Sequence, residues 1–400
     1  MNPNFVNFIY LIAGVLFILG IKGLTKPKTA VRGNLLSAVG MLLAIVITFL
    51  SINNVDYTYV IAGVAVGSIV GGVMALRIQM TSMPQMVALL NGFGGGASLT
   101  IALAEYFTKL GAAPTSFADM LVPLVVDTSA FGIGAEGTFA LTAIGLTVLI
   151  GAVTLTGSLV AFTKLQELMK KSYGLPGGPI GNGILVIAAL FAIGSVVVDP
   201  GNMTGMLAIV GLGLLLGLFL VTPIGGADMP VVIALLNSYS GIAAALAGFI
   251  LGNTVLIIAG SLVGTSGLIL TQIMCVAMNR SLANVLFGKM APGGEEIDAD
   301  EIYAGKVTSA QPEEIAMMLE VAKRVVIVPG YGMAMAQAQH AVRELADAIE
   351  AKGIEVEYGI HPVAGRMPGH MNVLLAEAEV PYDKLVEMDR INPTFEDTDM

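Results

Sequence analysis

Long apolar runs separated by short polar segments occupy most of the chain before residue 289. Runs of about 18 or more apolar residues predict membrane-spanning helices, because the hydrocarbon core offers no water to backbone polar groups. Nine such runs are predicted, at approximately residues 4–21, 34–51, 57–76, 84–106, 138–163, 183–198, 203–222, 230–251 and 255–278. The pattern therefore predicts an α-helical polytopic membrane domain in a lipid bilayer over residues 1–288.

The pattern changes after residue 288. Residues 289–312 are rich in Gly, Pro and acidic side chains without an apolar period, which is typical of a linker. From Pro312 onward the pattern alternates between helix and strand. The predicted elements are a helix through Ala322, a buried strand at 324–328, a helix at 333–352 and a strand at 354–360. Residues 313–400 are thus predicted to form an incomplete α/β, Rossmann-like nucleotide-binding domain.

Composition and charge support two different solvents. Of the 400 residues, 56% are hydrophobic and 12% charged, about half the charged fraction of a soluble domain. Up to Lys289 there are 11 Lys/Arg and 8 Asp/Glu, and from Met290 onward 8 and 21, so the charges +3 and −13 sum to −10. The first part is therefore expected in lipid and the second in water, and no nucleic acid is expected among the partners.

The positions of basic residues predict the orientation in the membrane. With nine spans, the following residues fall on one side: Lys22, Lys26, Lys28, Arg32, Arg77, Lys164, Lys170, Lys171 and Arg280. Lys and Arg accumulate in short cytoplasmic loops. The N-terminus is therefore predicted outside and the C-terminal segment in the cytoplasm.

A glycine turn follows the buried strand. Val328-Pro329 leads into Gly330, Tyr331, Gly332, Met333 and Ala334. Glycines between a strand and a helix let the backbone approach a pyrophosphate. A lone Gly-x-Gly is a weak signal, and Met335 occupies the third glycine position, so a plain tight turn is the alternative.

The loop after the second strand bears on which dinucleotide binds. NAD-specific sites commonly place a carboxylate at the end of that strand, for the ribose 2′-hydroxyl. Here Glu355 and Glu357 lie within the strand, and the loop beyond it contains Arg366. The phosphate-bearing NADP(H) is therefore favoured, with a solvated surface charge as the alternative for Arg366.

The remaining reactive residue types do not indicate a metal site. His361 and His370 are nine residues apart and lack helical ligand spacing, while His340 is expected to be an ordinary exposed side chain. The single cysteine, Cys275, lies in an apolar run and is expected to be a small buried hydrophobe.

Polar residues inside the predicted spans are candidates for function or for helix packing. They include Asn91, Ser158 and the run from Asn237 to Gly241. For Asn91, packing and water conduction are equally favoured. Asp228 precedes Met229-Pro230 at the cytoplasmic start of the eighth span, where an N-cap is the simplest role.

Four motifs resemble the beta subunit of the proton-translocating nicotinamide nucleotide transhydrogenases. They cover residues 224–232, 236–241, 328–334 and, most specifically, 358–378, which contains His-Pro-Val-Ala-Gly-Arg-Met-Pro-Gly-His. Together with the nine-span layout, the resemblance extends over essentially the whole chain.

The resemblance implies a bacterial inner-membrane enzyme that transfers hydride between two nicotinamides while protons cross the membrane. NADP(H) would bind this chain and NAD(H) the partner alpha subunit, in a homodimer of the heteromer. No side chain is expected to be catalytic, since the cofactors carry the chemistry. The implied cofactor contacts are the turn from Gly330 to Ala334 and the loop of Val363, Ala364, Gly365, Arg366, Met367 and Pro368. The implied proton-path or coupling positions are Asn91, Ser158, Asp228, Asn237 and Gly267.

Two departures from the family pattern qualify these expectations. Many relatives carry a histidine where this chain has Asn91, so the titrating group is expected from another subunit's helices. The family also continues beyond Met400 with further strands, so the chain looks truncated and its NADP(H) binding is expected to be weakened.

A nucleotide-gated channel or secondary transporter is the alternative function. It shares the order of spans followed by a Gly-rich α/β segment. The membrane part, however, has no filter-like repeat and no clear pair of inverted broken helices.

Overall fold

The structure is a computed structural model that describes most of the chain. The described residues are 3–51, 57–78, 82–110, 135–166, 168–169, 178–287, 310–366 and 369–400. The predicted linker therefore lies almost entirely outside the described residues.

Nine helices among the described residues are long and apolar enough to cross a membrane. They are α1 (Pro3–Leu24), α2 (Pro27–Ser51), α3 (Tyr57–Arg77), α4 (Met83–Leu110), α5 (Ala135–Leu165), α6 (Pro179–Val198), α7 (Met203–Val221), α8 (Met229–Leu251) and α9 (Thr254–Ala277). Each predicted run corresponds to one of them, so the prediction of nine spans is confirmed. A short helix, α10 (Leu282–Phe287), follows.

The chain divides into two compact units. The first comprises Met1–Ile78, Gln85–Pro223 and Val232–Thr271, and the second comprises Gln79–Pro84, Ile224–Val231 and Gln272–Met400.

The core of the first unit lies among α4, α5, α6 and α7. Tyr106, Ile144, Met203 and Ile209 are buried there, and the Tyr106 hydroxyl donates a 2.7 Å hydrogen bond to the carbonyl of Pro200. By contrast, none of the described residues of α3 is buried within the chain.

Small residues bring α8 and α9 into backbone contact. A Cβ added to Gly241 would lie 2.4 Å from the backbone nitrogen of Gly264, and one added to Gly260 would lie 2.4 Å from that of Ala245. Lipid-facing helices gain no hydrophobic energy by associating, so close packing of small residues is what stabilises such a pair.

The second unit contains the α/β segment. Its helices are α11 (Pro312–Val321), α12 (Tyr331–Met335), α13 (Gln339–Glu350), α14 (His370–Glu377) and α15 (Met388–Ile391), and its strands are β1 (Arg324–Ile327), β2 (Glu355–Ile360) and β3 (Leu385–Glu387). Helix α11 begins as predicted, with Pro312 in its first turn and a capping box between Gln311 and Glu314.

The three strands form one parallel sheet in the order β1-β2-β3. Arg324 pairs with Glu355 and Ile327 with Tyr358, while Ile360 pairs with Glu387. On the other edge of β1, the Val326 N–H donates to the carbonyl of Met400 over 2.9 Å. The prediction of an α/β segment with parallel strands is confirmed, but three strands do not establish the predicted Rossmann-like fold.

One predicted helix is wrong in detail. The sequence predicts a single helix over 333–352, whereas the structure has α12 and α13 separated by a turn. Gln337 in that turn has a φ of +51°, which a right-handed helix does not accommodate. Gln337 also donates its side-chain amide to the carbonyl of Ala334 over 2.8 Å.

Candidate nucleotide site and polar positions in the spans

The glycine turn lies at the carboxyl end of β1. Gly330 directly precedes α12 with an extended backbone, at φ −125° and ψ −177°. Ligands of open parallel sheets bind at the carboxyl ends of the strands. The loop that follows β2 begins at the same edge, because the two strands are parallel.

Nothing in the packing of the described residues requires glycine at positions 330 and 332. A Cβ added to Gly330 or Gly332 would have no described atom within 4 Å, and neither residue has a positive φ. Other side chains would therefore fit the fold at both positions. Glycine here suits a group that approaches the backbone from outside the chain.

The next two residues of the predicted site belong to the core. Ala334 is fully buried, and Met333 packs against the same cluster of buried residues. Their role in this geometry is to hold α12 on the sheet, which fixes the direction of the turn.

Arg366 connects the second loop to the first. Its guanidinium carbon lies 4.7 Å from the centre of the Tyr331 ring, a cation–π contact. The residue is half-buried. The two segments that the sequence singled out, which are distant in the chain, therefore meet at Tyr331 and Arg366.

The loop containing Arg366 is tightly shaped. Gly365 has a φ of +107°, a conformation that favours glycine, and Val363 and Ala364 are half-buried. The Val363 N–H donates to Nδ1 of His361 over 3.3 Å. Met367 and Pro368, also predicted as cofactor contacts, lie outside the described residues.

The acidic residues of β2 do not lie at its carboxyl end. Glu357 forms an ion pair with Arg324 on the neighbouring strand, and Glu355, at the start of the strand, is exposed. Neither carboxylate is placed for a ribose 2′-hydroxyl beyond the end of β2, in line with the argument for a phosphate-bearing dinucleotide.

The sequence argument missed His370. This side chain is fully buried at the start of α14, and its Nδ1 accepts the backbone N–H of Arg366 over 3.0 Å. Burial first, and then the charge of Arg366, lower the pKa of His370, so the imidazole is neutral at pH 7. Its Nε2 has no hydrogen-bond partner among the described residues. Its position directly after Gly369 was the only local signal, and that signal does not reveal burial.

Two of the predicted membrane positions contact α8, and a third lies beside α4. Asn91 on α4 is buried and donates through Nδ2 to the carbonyl of Ile233 over 3.2 Å. Ser158 on α5 is fully buried, its Oγ has no partner among the described residues, and a Cβ on Gly92 would lie 3.1 Å from its Cβ. Gly267 on α9 approaches α8 so closely that a Cβ there would lie 2.7 Å from the backbone nitrogen of Ser238.

Asn237 lies on α8 one helical turn after Ile233 and is half-buried. Residues four apart lie on the same face of a helix. Asn91 and Gly267 therefore approach α8, which also carries Asn237, whereas Ser158 lies beside Gly92 on α4.

Asp228 directly precedes α8, and its simplest predicted role, an N-cap, is wrong. Its Oδ2 accepts a 2.8 Å hydrogen bond from Nη1 of Arg280, which follows α9. Its Oδ1 is buried without a hydrogen-bond partner among the described residues. The carboxylate therefore joins the segments next to α8 and α9 through an ion pair.

Metal ligands were not expected from the sequence. Among the described residues, no group of three or more His, Cys, Asp or Glu is arranged to hold a metal ion. Cys275 is buried and His340 exposed, as predicted.

Comparison with known proteins matches a single family over essentially the whole chain. Residues 6–400 match the sequence model of a family described as NAD(P) transhydrogenase beta subunit. Two relatives named NAD(P) transhydrogenase subunit beta, from Rhodospirillum rubrum and from one of its strains, are each 44% identical over 405 residues. Those alignments cover 100% of this chain and 83% of each relative.

Proposed function

Because the chain belongs to the NAD(P) transhydrogenase beta subunit family, we propose that it binds NADP(H) in a proton-translocating transhydrogenase. Hydride passes between this NADP(H) and NAD(H) held by the alpha subunit, while protons cross the bacterial inner membrane. Residues 1–288 form the membrane domain, 289–312 the linker and 313–400 the NADP(H) domain. The N-terminus lies outside and the NADP(H) domain in the cytoplasm, within a homodimer of the heteromer.

The observation that carries this proposal is the open backbone at Gly330 and Gly332, beside Arg366. Both glycines have no described atom within 4 Å of an added Cβ, so the fold leaves room there for a group of another molecule. First-turn N–H groups of a helix that follows a glycine turn are suited to phosphate oxygens. Arg366, held over Tyr331, supplies a cation at the same edge.

The residues of this chain position the nucleotide and take no part in the chemical step. Bound NADP(H) supplies the hydride chemistry. Gly330 and Gly332 admit the dinucleotide backbone, Tyr331 and Arg366 fix the relative position of the two loops, and Gly365 sets the curvature of the second. Such positioning lowers the barrier by holding the two reacting nicotinamides in the correct geometry.

The membrane positions serve proton movement in this proposal. Asn91 donates to the carbonyl of Ile233, and the Ser158 hydroxyl next to Gly92 has no hydrogen-bond partner among the described residues. These groups suit ordered water, but an amide or a hydroxyl does not carry a proton charge near pH 7. The titrating group therefore comes from helices of the partner. The ion pair between Asp228 and Arg280 couples the ends of α8 and α9 to the NADP(H) domain.

The test is hydride transfer from NADPH to an oxidised NAD analogue, in membranes that contain the protein and its alpha subunit, with and without a protonophore. A transfer rate that responds to the protonophore supports the proposal. If NADPH binds but no hydride moves, the nucleotide is a regulator and a gated channel or transporter becomes the better explanation. Arg390→Ala, an exposed arginine elsewhere in the same segment, serves as the control for variants of Arg366.

A further inference from the structure

The imidazole of His370 is placed to shape the loop of residues 363–366. Its Nδ1 accepts the Arg366 N–H over 3.0 Å, which fixes the backbone of the residue whose side chain reaches Tyr331. A Cβ added to Gly365 would lie 2.3 Å from the same Nδ1. The loop therefore rests directly on the ring, and only glycine allows so close an approach at that position.

The same ring also lies beside the first nucleotide turn. The centroids of His370 and Tyr331 are 6.2 Å apart, with the rings tilted by 48°, while Arg366 lies over the Tyr331 ring. Three side chains from the glycine turn, the second loop and α14 thus form one connected group. A shift of the imidazole would move both segments.

Keeping an imidazole at this buried position has a free-energy cost. His370 is fully buried, and because Nδ1 accepts a hydrogen bond, the neutral ring carries its proton on Nε2. That N–H has no partner among the described residues, and an unmatched buried donor destabilises a fold. An apolar side chain such as Leu would fill a core position without an unmatched donor of its own, but it would leave the Arg366 N–H without this acceptor.

We propose that His370 is a positioning residue for NADP(H) binding, which holds the loop of residues 363–366 through its Nδ1 acceptor. The inference rests on the proposed function only in naming the ligand. The hydrogen bond it assigns orders the loop whether or not a nucleotide is bound.

Two substitutions separate the acceptor from the volume of the ring. In His370→Asn the side-chain oxygen replaces Nδ1 at a similar distance from the backbone and still accepts the Arg366 N–H. In His370→Leu the volume is largely kept, the acceptor is lost and the unmatched donor disappears. A purely structural role predicts that Leu is tolerated at least as well as Asn, and the positioning role predicts the reverse.

The first measurement is the NADPH affinity of the protein with its alpha subunit in membranes, by the fluorescence of NADPH. We expect His370→Leu to weaken binding about five- to tenfold, the effect of losing one hydrogen bond that orders a binding loop. His370→Asn should stay within about twofold of the wild type. If Leu binds NADPH as the wild type does, or if Asn is weakened as much as Leu, the proposal is overturned.

The second measurement reads the loop without any nucleotide. Trypsin cleaves after arginine, so the rate of cleavage after Arg366 reports the order of the loop. His370→Leu should speed cleavage there several-fold, His370→Asn should not, and cleavage after Arg343 within α13 should be the same in all three proteins. Equal rates after Arg366, or faster cleavage at both arginines, contradict a specific role of the imidazole. If the wild type fails to bind NADPH, the proposed function fails, while the cleavage rates still decide whether His370 orders the loop.

Discussion

The guanidinium carbon of Arg366 lies 4.7 Å from the centre of the Tyr331 ring. This contact links the two loops at the carboxyl ends of the neighbouring parallel strands β1 and β2. A cation–π contact at a partly exposed position contributes about 0.5–1 kcal/mol, so it orients the loops more than it stabilises the fold.

The first prediction concerns Arg366, whose contact orients the loops more than it stabilises the fold. Arg366→Ala should lower the stability of the protein by no more than about 1 kcal/mol and weaken NADPH binding roughly tenfold or more, because hydrogen bonds to a charged group contribute about 1.5–3 kcal/mol. Arg366→Lys should have an NADPH affinity between those of the wild type and Arg366→Ala, since lysine keeps the charge without the planar guanidinium. NADPH titration alongside thermal unfolding measures both quantities. Unchanged affinity with Arg390→Ala as the reference would remove Arg366 from the site.

A second prediction concerns the two open glycines. Gly332→Ala should leave thermal stability unchanged or slightly raised, because the new methyl group meets no described atom within 4 Å, yet it should weaken NADPH binding by an order of magnitude. Gly365→Ala is the contrasting variant. Its φ of +107° and the contact with His370 should make it lose both stability and binding. Normal affinity of Gly332→Ala would show that no ligand approaches the turn.

The third prediction tests Asp228 and Arg280. Asp228→Asn removes the charge of the ion pair while keeping the shape of the side chain, so assembly should stay intact while hydride transfer no longer responds to a protonophore. Arg280→Gln should be the more damaging to stability, because it leaves a buried carboxylate without its partner, a loss of about 3–5 kcal/mol in fully buried pairs and less here, where Arg280 is half-exposed. Normal coupling in Asp228→Asn would reduce the pair to a structural contact.

The fourth prediction addresses the packing of α8 and α9. Gly267→Ala places a Cβ 2.7 Å from the Ser238 nitrogen, so the helices must separate, at a cost of about 1–3 kcal/mol. Gly211→Ala on α7 is the matched control, with no described atom within 4 Å of its new methyl group. The midpoint of thermal unfolding in detergent compares the two. A Gly267→Ala protein as stable as Gly211→Ala would mean that α9 is free to shift.

The fifth prediction is a pH dependence. Among the described residues, Arg366 on the loop and Tyr331 on α12 contact His370, and burial together with Arg366 lowers the pKa of His370 below the ordinary 6.5. The folded protein therefore favours neutral His370. The stability that this form contributes is fully present above pH 6.5 and is lost as pH falls through the lowered pKa. Wild-type stability and NADPH affinity should decline over that acid range, and His370→Asn should flatten the part of the decline that belongs to this group. An identical acid profile for the two proteins would assign the decline to other groups.

The sequence by itself determined the nine spans and the position of the glycine turn. Insertion into lipid depends on the summed hydrophobicity of one continuous segment, and a strand followed by a glycine turn is a local pattern, so neighbouring residues suffice for both. Conversely, the helix predicted over 333–352 was wrong around Gln337, where a turn with a positive φ interrupts an otherwise helical pattern.

Only the tertiary structure decided which side chains meet. Asp228 pairs with Arg280, 52 residues away, and the Asn91 amide donates to a carbonyl on α8. His370 lies buried beneath the loop that contains Arg366. Each of these contacts depends on how separate helices and strands pack, and the periodicity of a single segment carries no information about its neighbours in space. The sequence therefore located the segments that form the sites, and the packing decided which atoms of those segments lie together.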